Sequence, residues 1–184
     1  MLLRTAHPSG WALFDSVARS DGRGWVTESF RLDVLRAHAG PLTIAQQNLS
    51  RSARGVLRGL HYQLGPPQGK LVQVLGGRIH DVIVDLRRRS EWFGQSFATD
   101  LRDRESLTLW VPPGFAHGFL AREDSLVLYA LTCRWDPHLD RAIRWNSAAL
   151  GIDWPLEQDE PILSEKDREA PPFAHAEVFE DDGL

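Results

Sequence analysis

Apolar residues along this chain fall into short alternating runs, the period of a strand with one buried face. In Leu126 to Thr132, Val127, Tyr129 and Leu131 share a face. In Arg78 to Leu86, Ile79, Asp81, Ile83 and Asp85 share one face, and His80, Val82, Val84 and Leu86 the other. Further strands are predicted at Gln95 to Asp100, Leu107 to Val111 and Gly118 to Leu120, divided by turn signals such as Pro112-Pro113-Gly114. One stretch has helical spacing: from Phe30 to His38, residues Phe30, Leu32 with Leu35, and Ala39 form a stripe that Gly40-Pro41 stops. Many short strands with turn signals and one helix predict an all-β sandwich or a barrel of jelly-roll type. No repeat or low-complexity linker divides the chain, so residues 1–184 read as one unit with a helical and loop segment trailing from about residue 155.

Two features complicate the pattern. Leu71 to Leu75, Gly76-Gly77 and Arg78 to Leu86 read as a hairpin about a glycine pair. Its second arm places Asp81 and Asp85 between isoleucines, so Asp81 is expected to pair with a cation, to line a polar cavity, or to lie on an exposed face. If the Tyr129 face points inward, its hydroxyl needs a polar partner.

Gly55 to Gln63 followed by Gln68-Gly69-Lys70 reads as a strand pair joined by a tight turn, carrying Arg58, His61 and Lys70. A histidine that takes a proton, a lysine facing a developing oxyanion and an arginine holding a phosphate suit proton abstraction beside a carbonyl of a phosphorylated substrate. The plainer alternative is a structural histidine with two solvated cations.

The 184 residues are 42% hydrophobic and 25% charged, enough to bury a sizeable core without staples. The one cysteine, Cys133, cannot close an intrachain disulfide; with no apolar leader in view, a reducing cytoplasm is expected. No stretch approaches the length of a bilayer span, so a soluble chain without a membrane partner is expected. A net charge of −4, partly from the acidic end Glu177 to Asp182, argues against nucleic-acid binding, and Arg87-Arg88-Arg89 reads as a solvated loop after a strand.

From about Asp21 to Asp167 an ordered set of motifs resembles the dTDP-4-dehydrorhamnose 3,5-epimerases. It comprises Gln47-Asn48-Leu49-Ser50, Gly55 to Gln63, Gln68-Gly69-Lys70, Asp81 to Arg87, Pro113-Gly114-Phe115-Ala116-His117-Gly118-Phe119 and Ile162-Leu163-Ser164-Glu165-Lys166-Asp167. The resemblance implies a cupin jelly roll, a homodimer, a dTDP-linked 4-keto-6-deoxy sugar as substrate, and neither metal nor other cofactor. It implies that His61 is the general base oriented by Asp167, that Lys70 stabilises the C4 enolate, and that Tyr129 returns a proton from the opposite face. Arg58 matches a diphosphate ligand; Arg23 and Glu28 match positions that contact phosphates and base, in some members from across the dimer interface. Gln46, Asn48, His117 and Arg168 are further candidates, and Trp135 matches a tyrosine expected to stack on thymine.

The chain departs from that pattern at Val26 and His80, where aromatics are common, and at Trp135. Inversion requires either His61 alone with a ring flip or His61 with Tyr129, and the presence of Tyr129 favours epimerisation at both C3 and C5 over a single-site epimerase. A metal-dependent cupin is the second enzyme class considered. Pro112 to His117 resembles half of a metal motif, but His61 lacks a neighbouring second histidine and acid. A non-catalytic sugar-nucleotide-binding cupin is the third reading.

Overall fold

The computed structural model describes residues 1–180, so Asp181 and Asp182 of the acidic end lie outside the described residues. Its strands are β1 (Leu2–Ala6), β2 (Ala12–Asp15), β3 (Ala18–Asp21) and β4 (Gly24–Thr27), then β5 (Gln46–Ser52), β6 (Leu57–Gln63), β7 (Lys70–Gly76) and β8 (Arg78–Asp85). They continue with β9 (Ser96–Arg102), β10 (Leu107–Val111), β11 (Phe115–Ala121), β12 (Ser125–Leu131) and β13 (Asp140–Ala142). Helix α1 (Leu32–Ala39) precedes β5, and α2 (Glu165–Glu169) lies near the C-terminal end. The strands pair antiparallel in a sheet of order β1-β2-β10-β7-β12-β5 and a second of order β13-β6-β11-β8-β9; β3 and β4 form a small sheet of their own. The all-β cupin jelly-roll expectation holds.

The central strands of both large sheets are buried on two faces. Between them lie Val72, Val74, Ile79, Ile83, Leu109, Phe115, Phe119 and Val127. Leu35 of α1 packs with Phe14, Leu71 and Trp110 on the outer face of the first sheet. The segment from Leu150 to Phe179 covers the outer face of the second, against Val82, Val84 and Leu86. This double covering explains why β8 carries apolar residues on both faces.

Two local readings are corrected. β7 and β8 are not a hairpin: β7 pairs with β10 and β12, whereas β8 pairs with β11 and β9. Gly76-Gly77 is a corner between the sheets, where Gly77 has φ +80° and a Cβ would sit 2.2 Å from the Asp124 carbonyl oxygen. Likewise β6 and β7 are not a strand pair, since they belong to opposite sheets. The local pattern marks each strand; the choice of sheet rests on contacts with strands far along the chain.

Asp81 and Asp85 are fully buried, which removes the exposed-face alternative. An unpaired buried carboxylate costs several kcal/mol, more than the roughly 1.5–3 kcal/mol gained by burying a neighbouring isoleucine, so both need partners. Asp81 Oδ2 lies 2.8 Å from His117 Nε2, and Asp85 binds Arg87 and Ser90. The solvated-loop reading therefore fails for Arg87, whose guanidinium also sits 4.8 Å from the centre of the Phe115 ring.

Candidate active site

Strands β6 and β11 approach closely because each presents a glycine to the other. A Cβ on Gly118 would stand 2.7 Å from the Arg58 carbonyl oxygen, and one on Gly59 would stand 2.6 Å from Gly118 Cα. The register sets His61 opposite His117, with an irregularity between His117 and Phe119. On the facing sheet, Lys70 of β7 pairs with Leu131 of β12, and Tyr129 pairs with Asn48 of β5. Between the sheets opens a cavity of about 300 Å³ whose lining includes Asn48, Ser50, Arg58, His61, Lys70, His117 and Tyr129.

His61 Nε2 lies 2.5 Å from Asp167 Oδ1. Asp167 is 2% exposed and held in the first turn of α2: Ser164 caps that turn by accepting from the Asp167 N–H at 3.1 Å, while its hydroxyl donates to Asp167 Oδ2 at 2.8 Å. Burial alone would raise the Asp167 pKa. The hydrogen bond and charge of His61, with help from Ser164 and the Gly59 backbone, outweigh it and hold the carboxyl below its ordinary value. An ionised carboxylate only accepts, so it selects the Nε2–H tautomer of a neutral ring and leaves the Nδ1 lone pair free. The His61 side chain is 31% exposed, which leaves the ring accessible at the cavity.

Lys70 is 8% exposed, and its Nζ donates to the His61 carbonyl oxygen at 3.0 Å. Burial pushes its pKa down to about 8, opposed in part by the charges of Asp140 and Asp81. A buried ammonium with one carbonyl partner retains donors for an oxyanion in the cavity. Tyr129 finds its polar partner in Ser50, with Oη and Oγ 3.1 Å apart. Burial raises the phenol pKa well above its ordinary value, eased by the Ser50 hydrogen bond, so Tyr129 enters any reaction as a proton donor.

The remaining candidates divide. Arg58 lines the cavity and donates to Ser52 Oγ at 2.9 Å and to the Arg51 carbonyl at 3.1 Å. Asn48, His117 and half-exposed Trp135 also line it. Gln46 stands just behind, donating to Asn48 at 2.8 Å and accepting from the Trp135 backbone N–H at 2.9 Å. Three further candidates lie away from the cavity. Arg23 is 91% exposed and bound to Asp21; Glu28 binds the Met1 amino group at 2.7 Å; Arg168 is exposed on α2. Sequence reasoning missed Lys166, Asp140 and Ser50, all in the lining. Lys166 and Ser50 stood inside quoted motifs, whereas nothing around Asp140 announced that it would reach Lys166. Among the described residues, no group of three or more His, Cys, Asp or Glu is placed to hold a metal ion, and no helix is long and apolar enough to cross a membrane.

Residues 7–175 match the family described as dTDP-4-dehydrorhamnose 3,5-epimerase. The chain belongs to that family. Membership makes it an isomerase of the dTDP-sugar epimerase class, as the ordered motifs implied. It is 47% identical to a dTDP-4-dehydrorhamnose 3,5-epimerase from Pseudomonas aeruginosa, over 91% of this chain and 93% of that one. Among solved structures, it is similar to a dTDP-6-deoxy-D-glucose-3,5-epimerase from Legionella pneumophila Philadelphia 1 in complex with dTDP-4-keto-L-rhamnose. The TM-score is 0.90 at 35% identity, covering 95% of this chain and 94% of that one. A 3'-monoepimerase from Streptomyces bikiniensis in complex with dTDP-quinovose shares the fold of this family member at TM-score 0.85 and 30% identity, covering 95% of this chain and 88% of that one.

Proposed function

We propose that this epimerase inverts C3 and C5 of dTDP-4-dehydro-6-deoxy-D-glucose to give dTDP-4-dehydro-L-rhamnose. The observation that carries the reading is that His61 and Tyr129 stand on opposite sheets and line one cavity. A base that removes and replaces a proton on one face regenerates the substrate; inversion without a ring flip needs a donor across the ring.

His61 Nδ1 takes the proton beside the C4 carbonyl, and the Asp167 carboxylate stabilises the imidazolium that forms. The C–H electron pair moves into a C=C bond as negative charge collects on O4, where the Lys70 ammonium stabilises it. At C5 the Tyr129 hydroxyl returns a proton from the other face; at C3 a ring flip turns the opposite face to the His61 imidazolium, which returns the proton there after exchange with solvent. Arg58 holds the diphosphate, Lys166, paired with Asp140, adds a second cation to the lining, and Trp135 stacks on the base.

The chain acts as a homodimer in the same reading. The β3–β4 hairpin is a sheet apart that carries Trp25 and Val26 at 68% and 69% exposure, and Arg23 sits at its tip. A second copy covering this surface would bring Arg23 and Glu28 to its neighbour's cavity, where nucleotide contacts are needed. Residues 1–184 act as one domain, with the segment from about 155 supplying Lys166 and Asp167. The cytoplasm, a reducing compartment in which Cys133 stays a free thiol, is the proposed location.

Proton NMR of the nucleotide sugar with the protein in deuterated water tests the activity. Deuterium with inversion at both carbons is the expected result. Label at one carbon alone would assign a single-site epimerase, the second reading, an activity that the named 3'-monoepimerase carries on the same fold. No label at either carbon overturns both.

A further inference from the structure

The inward face of β5 is polar throughout, and three of its four members each hold a different group of the site. Gln46, Asn48, Ser50 and Ser52 alternate with outward residues, as the strand period requires. Gln46 accepts from the Trp135 backbone, Ser52 accepts from Arg58, and Ser50 shares its hydrogen bond with Tyr129. Ser50 pairs in register with Val127, two residues before Tyr129, so the hydroxyl reaches diagonally across the strand pair to the phenol oxygen.

We infer that Ser50 is the positioning residue for proton return by Tyr129, an inference that rests on the epimerase reading above. When Tyr129 donates, its O–H bond breaks, the enolate pair forms the new C5–H bond, and charge remains on the phenolate oxygen. For the Tyr129 proton to point at the sugar ring, the Ser50 hydroxyl must be the donor in the pair. It then aims the phenol before transfer and stabilises the phenolate afterwards, in a cavity wall where burial disfavours that anion. The half-exposed position of Ser50 gives water access to the pair, through which the phenolate regains a proton.

A residue that only satisfied a buried phenol would lower stability and slow both carbons alike. Positioning acts after proton abstraction and at C5 alone, so the two roles separate in the partition of the intermediate. The experiment follows dTDP-4-keto-6-deoxyglucose in deuterated water with wild type, Ser50→Ala and Ser50→Thr, reading label and configuration at each carbon, kcat and KM. Thermal unfolding and dTDP binding check that each variant is folded.

Ser50→Ala is expected to lower inversion at C5 by about 10- to 100-fold, the value of a hydrogen bond to a developing anion. Exchange at C3 and KM stay near wild type, and Ser50→Thr, which keeps the hydroxyl, restores inversion. Wild-type partitioning in a folded Ser50→Ala, an equal loss at C3 and C5, or failure of threonine to rescue overturns the inference. A wild type silent at both carbons overturns the epimerase reading and this inference with it, whereas an active wild type with an indifferent Ser50→Ala overturns this inference alone.

Discussion

Asp167 Oδ1 lies 2.5 Å from His61 Nε2 across 106 residues of sequence. The contact joins α2 of the C-terminal segment to the inner face of β6, so the segment that covers the sheet also completes the base. Asp167→Asn keeps the shape but no longer fixes the tautomer or supports an imidazolium. It should lower kcat by about 10²- to 10⁴-fold with a smaller change in KM, measured by steady-state kinetics. Because the Asp167 pKa is lowered on folding, its contribution to stability is present above its ordinary value of 3.8 and is lost as pH falls through the folded value. Urea unfolding should therefore show a steeper loss of stability below about pH 4 in wild type than in Asp167→Asn.

Lys70 carries the opposite sign. Burial lowers its pKa from 10.5 to about 8, so the folded state resists the charge. The cost is fully present below about pH 8, and stability rises with pH between about 8 and 10.5, where the unfolded chain binds the extra proton. Activity runs the other way if the ammonium is the oxyanion partner: kcat/KM should fall as pH rises through about 8. Lys70→Met should abolish that limb and lower kcat by about 10²- to 10³-fold while leaving the fold as stable or more so at pH 7. A pH–rate profile beside urea unfolding of the two proteins checks both halves.

Much of this site was legible in the chain. His61 and Lys70 were marked by residue type, Tyr129 by its place on a strand face, and Asp167 by the family resemblance alone, while alternation placed β8, β10 and β12. The assignment of strands to sheets was not legible. Gly76-Gly77 has the composition of a hairpin turn and acts as a corner, because β7 finds its partners on β10 and β12, more than thirty residues away, while β8 pairs with β11 and β9 in the other sheet. For the same reason, Asp81 could be recognised as anomalous but not paired with His117. The early strands escaped because β1 and β3 are exposed along their length and carry no apolar alternation.

Gly118→Ala should push β11 from β6, since a Cβ there meets Arg58 backbone at 2.7 Å rather than a movable side chain. A loss of roughly 2–3 kcal/mol in urea unfolding is expected, with reduced kcat from a displaced His61.

Arg23→Ala leaves the intrachain cavity unchanged, since the arginine lies outside its lining and hydrogen-bonds to Asp21. In the proposed homodimer it should weaken dTDP binding, and mixing Arg23→Ala subunits with His61→Asn subunits should recover activity above either parent. Sedimentation and subunit-exchange assays provide the measurement; no recovery from exchanged dimers would place Arg23 outside the site.

Tyr129→Phe should impair inversion at C5 more than exchange at C3, since removal of the donor leaves the base in place. Equal loss at both carbons would count against Tyr129 as the acid.

The most direct test is deuterium wash-in at C3 and C5 of dTDP-4-keto-6-deoxyglucose by His61→Asn beside wild type, with dTDP affinity measured on the same samples. Wash-in at both carbons by wild type, and its near-complete loss in a His61→Asn protein that still binds dTDP, is the expected result. Wash-in at the wild-type rate without the imidazole would contradict the assignment of the His61–Asp167 pair as the base.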